Sequence, residues 1–133
     1  MKTVLEMIFL SELILVDINL WNKKTEQYNH MSITVDTGAS VTTISTDILH
    51  KLGYNTAAGK EKRVITASGV EYVKSIKMEK MKLGAIELID IEVYAHTFPE
   101  SSFSLGVLGL NVLKNFNVKL IFSKNEIELD KYD

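Results

Sequence analysis

The stretch Met31-Ser32-Ile33-Thr34-Val35-Asp36-Thr37-Gly38-Ala39-Ser40 holds the strongest fold signal in the chain. Its first half alternates, with Ile33 and Val35 on one face, as a half-buried strand does. Its second half opens with an acid placed directly after the apolar strand. An Asp there, followed by Thr-Gly, is held on a tight loop rather than on a mobile surface side chain. Gly38 permits the close turn. Neighbouring backbone N–H groups and the Thr37 hydroxyl can then fix the carboxylate. Asp, Thr and Gly are also ordinary turn residues, so the triplet takes its meaning from its surroundings.

Outward from this loop the dominant period stays at two. In Glu12–Trp21, Ile14, Val16, Ile18 and Leu20 alternate with Leu15, Asp17, Asn19 and Trp21, which predicts a half-buried strand. Met1–Ser11 also favours a strand, although Leu5–Leu10 is too uniformly apolar for period to decide against a helix. Arg63–Val73 predicts a hairpin with its turn at Ser68-Gly69. Ile76–Leu83 and Ile89–Ala95, joined near Gly84, predict a second pair. Asn117–Ser123 and Glu126–Leu129, joined at Lys124-Asn125, predict a third. Only two segments read as helical. Asp47–Leu52 has Ser45 or Thr46 available as N-cap, an apolar trio of Ile48, Leu49 and Leu52, and Gly53 as a stop. Leu110–Asn115 follows Gly109 and carries Val112 and Leu113. The expectation is one all-β domain over residues 1–133, with many short strands and one or two short helices.

Composition narrows the chemistry. The chain has 133 residues, 46% hydrophobic and 24% charged, which is ordinary globular composition and argues against disorder. It has no cysteine, so disulfides, thiolate catalysis and cysteine-based zinc sites are excluded. A formal net charge of -2 gives no electrostatic reason to expect nucleic acid. His30, His50 and His96 lack metal-ligand spacing and read as structural or solvent-exposed. Met1–Trp21 is apolar but interrupted by Glu6, Glu12 and Asp17. Its apolar runs are too short for a signal-peptide core or a membrane span. No membrane association and a cytoplasmic location are therefore expected.

Asp36–Ser40 resembles the active-site loop of the retropepsin-like aspartic proteases, and further segments stand where that family has them. Val41-Thr42-Thr43-Ile44-Ser45 and the helix ending at Leu52-Gly53 come next. Ile65-Thr66-Ala67-Ser68-Gly69 looks like the flap hairpin that closes over substrate. Val107-Leu108-Gly109-Leu110-Asn111-Val112-Leu113 looks like the second hallmark, two apolar residues and a Gly entering a short helix. Phe116–Leu129 resembles the closing strands. The resemblance covers about Leu13 to Leu129, and the motifs are specific together rather than singly.

The resemblance implies a small closed β-barrel of the acid-protease type, acting as an aspartic endopeptidase on polypeptides. It implies Asp36 as the catalytic acid and base, with no metal or cofactor. It places Thr37, Gly38, Ala39 and Ser40 on the active-site loop. Ala67, Ser68 and Gly69 form the flap, and Leu108, Gly109 and Asn111 form the second loop and helix. The other aspartates, Asp17, Asp47, Asp90, Asp130 and Asp133, are not followed by Thr-Gly or Ser-Gly. Each chain thus offers one catalytic Asp, and a dyad requires a homodimer. The apolar Met1–Leu10 and Ile127–Leu129 are candidates for an interleaved terminal sheet. Two departures from the retroviral pattern occur together. Ser40 stands where those enzymes usually carry Asp, and Leu110 where they carry Arg. Losing both removes an ion pair cleanly and suggests a cellular, bacterial relative. The competing reading is a catalytically silent member used as a dimerisation or peptide-binding module.

Overall fold

The computed structural model describes residues 1–132. The chain runs β1 (Lys2–Glu6), β2 (Ile8–Leu10), β3 (Leu13–Asn22), β4 (Gln27–Val35), β5 (Thr43–Ser45), α1 (Thr46–Lys51), β6 (Lys60–Thr66), β7 (Gly69–Leu83), β8 (Ile86–His96), β9 (Gly106–Leu108), α2 (Leu110–Leu113), β10 (Phe116–Ile121) and β11 (Glu126–Lys131). The all-β expectation holds, and the two helices are as short as their sequences imply. Single 3₁₀ turns at Thr56–Ala58 and Phe122–Lys124 add to them.

The larger sheet has the order β2-β3-β4-β9-β5-β8-β7-β6. A further pairing of β3 with β7, Asn19 against Lys82 and Leu20 against Met81, turns its middle into a closed ring. Two contacts in the ring are parallel, β4 with β9 and β5 with β8, and they bring chain segments far apart in sequence together. Ile18, Ile33, Ile44, Leu49, Met78, Met81, Leu83 and Val93 fill the interior, sealed from solvent. On β3 and β4 the period-two faces read from the sequence, with Val16, Ile18, Leu20 and Ile33, are the faces that point inward. The second sheet is antiparallel, β1-β11-β10, and places Ile127 and Leu129 in the same core.

Several boundaries differ from the sequence expectation. The apolar Met1–Ser11 is two strands, broken at the buried Met7, whose N–H donates to the Asn125 carbonyl at 2.7 Å. β1 joins the smaller sheet and β2 the larger one, so a single apolar run serves two sheets. The expected terminal partners do meet, within one chain: Thr3 stands opposite Leu129 and Leu5 opposite Ile127. Val70–Val73 and Ile76–Leu83 form one continuous strand, β7, which pairs first with β6 and then with β8. α1 is preceded by Ser45, which makes no side-chain capping bond, and Gly53 beyond it has φ +91°. That left-handed position explains the stop.

Candidate active site

Asp36 follows the last residue of β4 and is held at three points. Its N–H donates to the Leu108 carbonyl at 3.1 Å, and its carbonyl accepts from the Ala39 N–H at 3.2 Å. Its Oδ1 accepts from the Gly38 N–H at 2.8 Å. The carboxylate is therefore oriented by its own loop, as an acid on a tight strand-end turn should be. Asp36, Thr37, Gly38 and Ser40 are exposed, and Ala39 is half-buried.

The second loop is bolted to the first. Beside the bond from Asp36 to Leu108, the Leu110 N–H donates to the Ala39 carbonyl at 2.8 Å, and the Asn111 N–H donates to the Ser40 carbonyl at 3.1 Å. Gly109 lies at the crossing. A Cβ there would stand 2.7 Å from the Val41 carbonyl carbon, 2.9 Å from the Ala39 oxygen and 2.9 Å from the Thr42 nitrogen. All three are backbone atoms that cannot swing aside, so only glycine allows the two loops to touch.

Asn111 and Thr42 lock this crossing. The Asn111 Oδ1 accepts from both the Thr42 N–H and the Thr42 hydroxyl, each at 2.8 Å. The Thr42 Oγ1 in turn accepts from the Gly109 N–H at 3.0 Å. The Asn111 Nδ2 donates to the Glu92 carbonyl at 2.8 Å, tying the second loop to β8 as well. Thr42 is completely buried and is the residue that sequence reasoning missed. Its signal is faint. In Val41-Thr42-Thr43-Ile44 both threonines suit a strand, and only the crossing with Gly109 distinguishes the one that faces inward.

The flap residues form a separate unit. Register pairs Thr66 with Gly69, so the two-residue loop is Ala67-Ser68 rather than Ser68-Gly69, one residue earlier than expected. Gly69 opens β7 with φ +125°, a conformation that side chains rarely adopt. The loop is pinned by the Thr66 hydroxyl, which accepts from the Ser68 N–H at 3.2 Å and donates to the Gly69 carbonyl at 3.2 Å. Ile65, Val70 and Tyr72 on this hairpin present large apolar surfaces to solvent. The structure thus joins Asp36–Ser40 to Leu108, Gly109 and Asn111, while Ala67, Ser68 and Gly69 stand on their own projection.

The histidines and two cavities lie away from the Asp36 carboxylate, although Asn111 lines one of the cavities. A cavity of about 300 Å³ between β3, β4 and α1 is lined by Leu20, His30, Met31 and Ile48 among others. A groove of about 530 Å³ follows β8 and α2. Neither is lined by Asp36 or by the flap. His30 contacts Asp17 at 3.2 Å, His50 bonds the Thr56 hydroxyl at 2.7 Å, and His96 stacks edge-on against Phe98. Among the described residues no group of His, Cys, Asp and Glu side chains has the arrangement of a metal site. No helix among them is long and apolar enough to cross a membrane.

Comparison with known proteins agrees with this architecture. The protein-family profile described as "gag-polyprotein putative aspartyl protease" matches residues 26–115, a span that holds both loops and the flap hairpin. The chain is similar to a solved structure titled as a retropepsin-like aspartic protease from Rickettsia conorii. The TM-score is 0.70 at 17% sequence identity, over 97% of this chain and 89% of that one. At that identity the likeness concerns the fold. No curated protein matches the chain.

Proposed function

Because this chain belongs to the gag-polyprotein aspartyl protease family, we propose that it is an aspartic endopeptidase whose dyad is built from Asp36 of two copies. The observation that carries the reading is the bolted pair of loops. An exposed carboxylate is oriented by the Gly38 N–H at 2.8 Å, on a frame fixed by Gly109, Asn111 and Thr42. Such rigidity is more than a strand-end turn needs, and it is what a reacting carboxylate needs. One chain supplies one such carboxylate, so a second copy completes the site.

In the dimer the two Asp36 side chains share one proton, because neighbouring carboxylates do not easily ionise together. The ionised member takes a proton from a water molecule, whose oxygen attacks the scissile carbonyl carbon. The protonated member donates to the carbonyl oxygen, and the dyad then returns a proton to the leaving amine as the C–N bond breaks. Thr37 locks the paired loops across the axis, Gly38 lets the substrate backbone approach, and Ala39 lies beside the dyad. The hairpins ending at Ala67-Ser68 close over an extended polypeptide. No metal or cofactor enters this chemistry. The reading is of a single domain acting in the cytoplasm.

The test is cleavage of a proteome-derived peptide library by the wild-type chain and by Asp36→Asn. The variant is nearly isosteric but cannot cycle a proton. Cleavage should disappear while the circular dichroism spectrum and the dimer persist. A variant that cleaves as fast as wild type removes the assignment.

A further inference from the structure

The loop that follows α1 and the root of the β6–β7 hairpin enclose a hollow of about 300 Å³. Tyr54 and Gly59 stand on its loop side and Ser75 on its β7 side. Three lysines surround it: Lys23 from the β3–β4 turn, Lys60 at the start of β6 and Lys77 on β7. No acid lines it. The chain as a whole has 17 acidic and 15 basic residues, so a concave surface that gathers cations alone runs against the average charge.

The walls are fixed by the fold itself. Tyr54 is buried, and its hydroxyl donates to the Trp21 carbonyl at 2.9 Å and accepts from the Glu79 N–H at 3.4 Å. Gly59 lies so close to β7 that a Cβ there would stand 2.9 Å from the Ser75 carbonyl oxygen. The Ser75 hydroxyl is engaged with Glu92 at 2.7 Å, so Ser75 serves as wall. The lysines are less committed. Lys23 pairs with Glu79 at 3.6 Å and lies 5.3 Å from the centre of the Tyr54 ring. Lys60 and Lys77 are exposed, and among the described residues neither has a carboxylate within 4.0 Å. Glu92 stands opposite Lys77 in register, but its carboxylate is turned to Ser75. Two cations are thus left without a counter-charge beside a formed hollow.

We propose that this hollow is an anion site whose ligand carries a diphosphate group. Size selects the group. The nine non-hydrogen atoms of a diphosphate take about 270 Å³ at roughly 30 Å³ apiece, the share of a water in the liquid, and the five of a single phosphate only about half the hollow. Charge selects it as well. Lysine ammonium groups bind phosphate as point charges, and three of them match a compact polyanion better than a single carboxylate. The place of the hollow gives binding a mechanical consequence. Lys60 stands opposite Ser75 in the first pair of the hairpin whose far end is the Ala67-Ser68 loop. Lys60 and Lys77 belong to its two strands and Lys23 to the β3–β4 turn, so one bound anion ties the root of the hairpin to the ring of the larger sheet.

The test is calorimetric titration of the full chain with sodium pyrophosphate, adenosine diphosphate and inorganic phosphate in turn, at low ionic strength, where exposed charges are least screened. Pyrophosphate should bind at one site per chain with a submillimolar Kd, and inorganic phosphate at least about tenfold more weakly. Lys60→Gln and Lys77→Gln should each weaken pyrophosphate about fivefold or more. Lys119→Gln, which removes the same charge from the exposed β10, should leave it unchanged. Adenosine diphosphate binding more tightly than pyrophosphate assigns the ligand to nucleotides, and equal or weaker binding assigns it to the free diphosphate. Pyrophosphate should also slow amide hydrogen exchange in β6 and the first half of β7, and Lys60→Gln should remove that protection. No saturable binding of either diphosphate up to about 10 mM, or binding that all three variants weaken equally, overturns the site. Binding that leaves exchange in the hairpin unchanged overturns the tie between its root and the ring. None of these measurements reads peptide cleavage, so their outcome is independent of the Asp36 assignment.

Discussion

Replacing Thr42 by valine isolates the polar lock between the two loops. Valine keeps the β-branched shape and nearly the volume of threonine and exchanges only the hydroxyl for a methyl. Two bonds are lost. The Gly109 N–H, buried and bonded to Oγ1 at 3.0 Å, is left without its partner, which costs about 1–3 kcal/mol. The Asn111 Oδ1 loses the hydroxyl at 2.8 Å but keeps the Thr42 N–H at the same distance, so that loss is an ordinary one of about 0.5–1.5 kcal/mol. Burial of the new methyl returns up to about 0.8 kcal/mol. The net expectation is destabilisation by about 2–3 kcal/mol, a large share of the stability of a small domain.

Urea unfolding at fixed protein concentration measures it, since the stability of the proposed dimer depends on concentration. The midpoint should fall with little change in slope. Thr42→Ser supplies the contrast: it keeps both hydroxyl bonds and loses one methyl, for about 1 kcal/mol. A valine variant within about 0.5 kcal/mol of wild type, or a serine variant as unstable as valine, would mean that the hydroxyl does not hold the loops together.

Two smaller perturbations follow. Ala39→Ser adds a hydroxyl beside the Asp36 loop. If that hydroxyl donates to the carboxylate it favours the ionised form, and both limbs of the pH profile of kcat/KM should move toward acid by several tenths of a unit to about one unit; a profile that stays in place or moves to alkaline pH refutes the contact. On the outer face of β3 and β4, the Ser32 hydroxyl donates to Asp17 at 2.5 Å and, as the largest cause, holds that carboxyl below its ordinary 3.8, with His30 adding to the effect and burial opposing it. A lowered carboxyl contributes stability above its unfolded value and loses it as pH falls through the folded one. Ser32→Ala should therefore lower the urea midpoint at pH 7 slightly, by about a few tenths of a kcal/mol for so exposed a pair, and the difference should shrink as pH falls below 3.8 and close once it has passed the lowered folded value.

Much of this was legible because strands and tight loops write themselves locally. Alternation in Glu12–Trp21 identified β3, and the acid after an apolar strand marked the loop that the structure joins to Leu108. The pair Leu108-Gly109 before a short helix located its second loop. What escaped depends on partners distant in sequence. Leu5–Leu10 carries no period, so the break at Met7 and the division of one run between two sheets could not be seen. The flap turn was displaced by one residue because Gly69 attracts the turn assignment while its positive φ serves the start of β7. Thr42 was hidden because its donor and acceptor lie 67 and 69 positions away. The exposed row on β10 was hidden for the opposite reason. Val118 and Leu120 alternate with polar neighbours as a core-facing strand should, and only the structure shows that both are exposed.

The two departures at Ser40 and Leu110 bear on how the loops are joined. Where the retroviral pattern has an ion pair, the contact in this chain is neutral: Leu110 N–H to the Ala39 carbonyl and Asn111 N–H to the Ser40 carbonyl, reinforced by the Asn111 side chain. Neutral backbone bonds are hardly screened by salt, so the joint does not depend on ionic strength. The pair can be put back to learn what environment these positions occupy. Ser40→Asp, Leu110→Arg and the double variant form a double-mutant cycle. Both positions are exposed in the single chain. The coupling there should be that of a surface pair, about 0.2–1 kcal/mol, and should shrink in high salt. Below the dimer dissociation constant the cycle reads the isolated chain, and above it the assembled one. Coupling that grows to about 3 kcal/mol or more in the dimer would show that association desolvates both positions. Leu110 would then belong to the buried interface of the proposed dimer. Coupling that remains small at every concentration would leave Leu110 on the solvent side of the assembled pair.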